Sequence, residues 1–270
     1  MPTDNLIGRA ALVLRALSVT GEPGASTSDV ARATGLARPT AHRLLAALAD
    51  EGFVDRDQRS GQWYLGPELY LLGESAAARY DVTQQARDSV HRLAAATGES
   101  AFFSARRGDE TVCLLREDGD FPIRSFVLYE GARFPLGVVS AGLVVLSLLG
   151  DREIDEYLAR VDLTERWGAE HGPEPLRERI AETRERGYSV NPGLVVEGSW
   201  GMAAAVFGAA GEPAWALTLT GVESRFREPR RSQMGALLLK EAHALTTTLR
   251  QRAEVSRPES GPRPGGRAGR

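Results

Sequence analysis

The stretch STSDVARATGLARPTAHRLLAALADEGFVDRDQRSGQWYL, residues 26–65, most constrains what this chain can fold into. Two short segments with helical apolar spacing flank Gly35, and two strand-like runs follow around a polar tip. That succession reads as a winged helix-turn-helix, whose second helix can enter the DNA major groove. Ser26 suits an N-cap, with Asp29 three residues on, close to a capping box. Gly35 suits the left-handed residue that ends a helix, and Leu36 can plug the angle to the next one. That next helix starts near Pro39, a tolerated first-turn position for proline. Upstream, Leu6, Ala10, Val13, Leu14 and Leu17 recur at helical spacing, which predicts a helix over 5–19 with one buried face. The Gly-Glu-Pro-Gly run at 21–24 ends it.

The second helix of the pair divides into two faces. Ala41, Leu44, Leu45 and Leu48 form a core stripe, leaving Arg38, Thr40, His42, Arg43 and Ala46. Arginine can chelate guanine O6 and N7, and hydroxyls near a helix N-terminus suit phosphate. The same residues would also suit an ordinary solvated face. The hairpin favours DNA. Phe53 and Val54 lead out, 57–61 is turn-rich, and Trp63-Tyr64-Leu65 returns. Arg56, Arg59 and Gln62 lie on or beside the tip, where a wing meets backbone phosphates or the minor groove. Arg59 is nearest the tip. Residues 1–80 carry eight arginines against nine acidic residues, so the cationic character is local and modest. A dimer presenting two copies is therefore expected for useful specificity.

The chain has 270 residues, enough for two domains. Its formal net charge of −3 disfavours blanket coating of nucleic acid. Cys113 is the one cysteine, which excludes an internal disulfide and a multi-cysteine metal site. It sits in an apolar run and reads as a core strand residue. No signal peptide is evident, and the apolar run 137–150 is too short to span a bilayer, so the chain reads as cytoplasmic.

A linker helix is expected over 67–78, able to pair with its counterpart in a dimer, and another helix over 84–97. Strands are expected at 100–106, 111–116 and 123–128, with a turn at 107–110. A buried helix follows over 138–149, then amphipathic helices at 152–161 and 175–186. Further strands at 188–190, 202–207 and 214–220 precede a last helix over 229–250. An antiparallel sheet flanked by helices makes an α+β domain, with a sheet face that can hold a small ligand. The expected organisation is a winged helix-turn-helix over 1–66 and a linker helix over 67–82. An effector and oligomerisation domain over 83–252 follows, then a disordered Pro/Gly/Arg-rich tail over 253–270.

An enzyme is not expected. The four histidines, His42, His91, His171 and His243, share no metal-ligand spacing. No Gly-rich phosphate loop follows a strand, Cys113 has no nearby base, and Glu197 is a lone acid. No catalytic residue, metal or cofactor is assigned. A winged-helix adaptor that binds only protein remains the alternative. It would leave Arg38 and Arg43 dispensable for partner binding.

Three blocks carry a resemblance: GLARPTAHRLLAALADEGFV followed by WYLG, then EGARFPLGVVSAGLVVLSLL, then RERGYSVN with GMAAAVFGAAGEPAWALTLTGVESRF. In this order they resemble the IclR family of bacterial transcriptional regulators from about residue 6 to 250. The resemblance implies a winged helix-turn-helix joined to a GAF-like effector domain. It implies dimers or dimers of dimers on palindromic double-stranded DNA, with affinity altered by a small effector, often an organic or aromatic acid. Groove reading would fall to Arg38, Thr40 and Arg43, with His42 nearby. Pro39 stands where the family usually has a serine that contacts phosphate, and Arg56 and Arg59 complete the DNA-facing set. The effector positions would be Ser140, Ala141, Asn191, Gly201 and Ala203. Here the chain departs from the family. Gly142-Leu143 replaces a usual Gly-Lys, 189–194 lacks the common acidic residues, and Gly201 replaces a frequent cysteine. This thinning implies a larger or less polar effector, or loss of ligand control. Backbone N–H groups around Ser140 and Ala141 remain able to bind a carboxylate at a helix N-terminus.

Overall fold

A computed structural model describes residues 5–21, 23–77 and 82–255. The chain divides into two units, Met1–Asp81 and Val82–Arg270. The first holds α1 (Leu6–Ser18), α2 (Thr27–Thr34), α3 (Arg38–Asp50), the hairpin β1 (Val54–Arg56) and β2 (Trp63–Leu65), and α4 (Pro67–Ala77). Caps set the helix ends. Asn5 Oδ1 accepts from the Gly8 amide at 2.7 Å, and Ser26 with Asp29 forms a reciprocal capping box. Gly35, at φ +70°, ends α2 in the left-handed region. Val13, Leu17, Val30, Ala41, Leu45, Val54 and Trp63 close the core of this unit. Trp63 also donates its indole N–H to Thr27 Oγ1 at 3.0 Å, tying the hairpin to α2. Ser26→Ala removes the side-chain half of the box. It should cost about 1 kcal/mol in chemical denaturation of the full chain, read as a lower midpoint for the transition of this unit.

One expectation fails here. Leu6, expected on the buried face of the first helix, is 72% exposed, and its neighbour Ile7 is 80% exposed. Periodicity identifies a stripe, not where the partner beneath it ends; the core begins further along, at Val13.

The second unit is built on a six-stranded, wholly antiparallel sheet. Its strands are β3 (Ser100–Arg107), β4 (Glu110–Glu117), β5 (Arg133–Pro135), β6 (Ser189–Pro192), β7 (Ser199–Phe207) and β8 (Pro213–Val222), in the order β5-β4-β3-β8-β7-β6. Alternation divides the sheet into two faces. Phe103, Met202, Ala204, Leu217 and Leu219 pack with α5 (Val82–Thr97) and α10 (Arg230–Val255). Ala203, Ala205 and Ala216 point the other way, toward α6 (Ser140–Ser147) and α9 (Pro173–Arg186). Every residue of α6 is buried, which is why its sequence shows no polar face. The small alanines beneath let this helix lie close to the sheet. Between α6 and α9 come α7 (Asp151–Arg160), α8 (Thr164–Trp167) and a 3-10 turn (Ala169–His171). With a helix-turn-helix unit and an antiparallel sheet flanked by helices, the fold class is α+β.

The segment 123–128 is irregular rather than a strand. The edge of β4 is taken by β5 instead, with Thr111 opposite Phe134. The Gly131 amide donates to the Cys113 carbonyl at 2.8 Å, and the Cys113 amide to the Ala132 carbonyl at 2.9 Å. The segment 123–128 stays beside β4, with Leu128 packed on Phe102 and Cys113, and reaches β7 through the hydroxyls of Ser125 and Ser199. Helix α10 runs through Val255, into the segment expected to be disordered; 256–270 lie outside the described residues. Cys113 is a buried β4 residue, and burial pushes its thiol up to about 12, so it is inert as a nucleophile at neutral pH. Among the described residues no helix is long and apolar enough to cross a membrane, and no cluster of His, Cys, Asp or Glu could hold a metal ion.

Candidate DNA interface and effector cleft

Helix α3 presents Pro39, Arg43, Ala46 and Asp50 as one stripe, opposite buried Ala41, Leu44 and Leu45. Arg38, Pro39, His42 and Arg43 are exposed, whereas Thr40 and Ala46 are half-buried. Among the described residues the Arg38 and Arg43 side chains make no hydrogen bond or ion pair. The helix start offers few donors of its own. Ala37 supplies no side-chain cap, Pro39 has no N–H, and the Thr40 and Ala41 amides both donate to the Ala37 carbonyl. The cationic groups on this exposed face are the Arg38 and Arg43 guanidinium groups.

The wing tip is held by one carboxylate. Asp57 Oδ1 accepts from the amides of Arg59 at 2.9 Å and Ser60 at 2.6 Å, and from the Ser60 hydroxyl at 2.8 Å. These bonds, Ser60's first, hold the Asp57 carboxyl below the usual carboxylate range. Trp63 docks the wing on α3. The His42 ring meets it edge-on at 6.2 Å between centroids, and the Arg56 guanidinium lies 5.1 Å from its ring centre. Arg56 thus packs on Trp63 while its side chain stays exposed beside the tip. Arg59 sits exposed at the tip with no ion pair among the described residues.

In the second unit, a narrow cleft with about 30 Å³ of free space lies between the start of α6, the strands β6, β7 and β8, and the loops before β5 and β7. Ser140, Ala141, Asn191 and Gly201 meet in it. Ala203 does not line it; it is fully buried in the core beneath α6. Sequence reading missed Thr218 and Thr220 of β8, which line the cleft because they pair with Ala203 and Gly201. Only the strand register places them there. Both hydroxyls are buried without a hydrogen-bond partner among the described residues. Val127, Val195 and Trp200 supply apolar wall, and no lining residue is charged.

Helix α6 begins without a side-chain cap, so its first-turn amides are open to an acceptor in the cleft. Gly201 brings the sheet close to this point: a Cβ there would lie 2.9 Å from Ser140 Oγ. Leu143, at the place of the family's usual lysine, is buried in the core and cannot contribute charge.

Residues 6–58 match the sequence model of the IclR helix-turn-helix domain, and residues 74–247 match that of the bacterial transcriptional regulator IclR C-terminal region. The chain belongs to the IclR family. Its IclR-family relatives are transcriptional regulators rather than enzymes. The regulator BhcR of Paracoccus denitrificans is 26% identical over 251 residues, covering 92% of this chain and 88% of BhcR. The transcriptional repressor IclR of Escherichia coli is 25% identical over 221 residues, 81% of each chain. Among solved structures, an IclR homologue from Microbacterium hydrocarbonoxydans, complexed with 4-hydroxybenzoate, superposes with a TM-score of 0.73 at 23% identity. The match covers 92% of this chain and 100% of that one. This IclR-family chain is accordingly a DNA-binding transcriptional regulator with a helix-turn-helix domain and a C-terminal effector-type domain.

Proposed function

We propose that this regulator binds a palindromic operator as a homodimer, or a dimer of dimers, and that a small monocarboxylate with an apolar body sets its affinity. The observation that carries the effector reading is the pair of buried, unpartnered hydroxyls of Thr218 and Thr220, in the same cleft as the uncapped start of α6. Buried polar groups are rarely left unsatisfied, and a carboxylate would take bonds from both sources. The uncharged lining disfavours a second ionic group on the ligand, and the valines with Trp200 suit an apolar or aromatic body. The 4-hydroxybenzoate complex of the Microbacterium homologue supports the same ligand class.

The dimer reading rests on apolar surface in the first unit. Leu6 and Ile7 of α1 and Tyr70, Leu71 and Leu72 of α4 are exposed, and a second copy would cover them. Two α3 helices would then enter successive major grooves roughly 34 Å apart. The effector acts by binding one arrangement of the dimer better than another. Arg38, Thr40 and Arg43 read the groove, Arg59 meets phosphate, and the protein works in the cytoplasm.

Benzoate, 4-hydroxybenzoate and the neutral benzamide, titrated calorimetrically into the full chain, test the cleft. The carboxylates should bind and benzamide should bind at least tenfold more weakly. Gly201→Ala should weaken the carboxylates at least tenfold while leaving DNA binding unchanged. Rotation of the Ser140 hydroxyl lets the added methyl fit the fold, but the methyl occupies the cleft. Equal affinity for acid and amide, or an unaffected variant, would remove the reading.

A further inference from the structure

Asn191 lines the cleft, yet both ends of its amide are engaged by backbone. Its Nδ2 donates to the Val138 carbonyl at 2.7 Å, and its Oδ1 accepts from the Leu194 amide at 3.0 Å. One side chain therefore bridges the approach to α6 and the loop that carries Val195 into the cleft wall.

That approach is held from several directions. The Tyr157 hydroxyl donates to the Leu136 carbonyl at 2.7 Å, and Arg179 Nη1 donates to the Gly137 carbonyl at 3.4 Å. His171 Nε2 lies 3.3 Å from the Val138 carbonyl, while its Nδ1 lies 2.8 Å from the Trp167 carbonyl. Burial, with Arg179 nearby, pushes the His171 imidazole below its ordinary range, so the ring is neutral and carries one proton. Either the Trp167 or the Val138 carbonyl takes that proton, according to the tautomer. Asn191, at 2.7 Å, makes the shorter of the two side-chain contacts to the Val138 carbonyl and donates to it in either tautomer of His171.

We propose that Asn191 is a positioning residue, whose amide locks the β6–β7 loop to the start of α6 and so presents the first-turn amides of α6 to the cleft in a single arrangement. Its consequence for ligand binding rests on the effector reading above; the lock itself does not. Asn191→Asp keeps the acceptor for Leu194 but sets a carboxylate against the Val138 carbonyl. Asn191→Ala removes both bonds.

Amide hydrogen exchange in the ligand-free full chain separates the two. The Val138 amide donates to the Pro135 carbonyl, the Leu143 amide to the Val139 carbonyl, and the Leu194 amide to Asn191. Asn191→Ala should speed exchange at all three at least tenfold. Asn191→Asp should do so at Val138 and Leu143 and leave Leu194 within about twofold. Amides of β8 should be unchanged in both. Should the alanine variant not fold, the contrast between Val138 and Leu194 in the aspartate variant decides alone. Unchanged exchange at Val138, or equal acceleration at every site including β8, would overturn the proposal. Because no ligand is present, that failure is distinct from a failure of the benzoate titration.

Discussion

Arg43→Ala should weaken binding to the selected operator by about 1–3 kcal/mol, roughly five- to 150-fold, and leave binding to scrambled DNA nearly unchanged. Arg43 lies mid-stripe on the exposed face of α3, four residues after Pro39 and three before Ala46. Its side chain makes no hydrogen bond or ion pair among the described residues, so truncation releases nothing in the fold. Arg59→Ala should behave differently. A cation at the wing tip meets phosphate, so its loss should weaken all sequences alike and lower the salt-dependence slope by about one. Arg56→Ala also removes the packing on Trp63 and should loosen the wing. The measurement is a titration of selected and scrambled duplexes at several salt concentrations. An Arg43→Ala variant equal to wild type at the operator would remove Arg43 from groove reading, and equal affinity of the wild type for selected and scrambled duplexes would remove sequence reading altogether.

Removing Arg225 and Arg230 together should cost about 3–5 kcal/mol, more than the sum of the single losses. The Glu99 side chain is 1% exposed at the start of β3. Arg225 Nε donates to its carboxylate, and Arg230 Nη2 donates to the same oxygen at 3.1 Å. Both arginines also donate to the Thr97 carbonyl, and the Arg225 guanidinium lies 4.1 Å from the Phe121 ring centre. A Cβ at Gly221 would collide with Glu99 Oε2, so the carboxylate fills the space that this glycine leaves. Either arginine alone can still neutralise it. Loss of both strands a buried charge, and that desolvation penalty is what makes the pair non-additive. Denaturant unfolding of the two single variants and the double variant measures this directly. A double variant that costs only the sum of the singles would mean that the carboxylate finds water.

Local chemistry made much of the first unit legible. The Ser26–Asp29 box, Gly35 and the α3 stripe are written within a few residues of where they act, so caps, stops and faces follow from sequence alone. The same holds for α6, whose unbroken apolar run could only be a buried element. The three sequence blocks also carried the family. Interactions between distant segments were not legible. Thr218 and Thr220 enter the cleft because antiparallel register sets them beside Ala203 and Gly201, and no property of β8 alone specifies that register. The segment 123–128 has strand-like residues but lost its edge to 133–135, a competition settled by hydrogen bonds to Cys113. Leu6 shows the complementary case, a helical stripe that outruns the core. The sequence by itself determined the caps of α2, the apolar stripe of α3 and the family. Tertiary structure decided which polar groups converge on the cleft at the start of α6, because they come from strands distant in the chain and only packing brings those strands together.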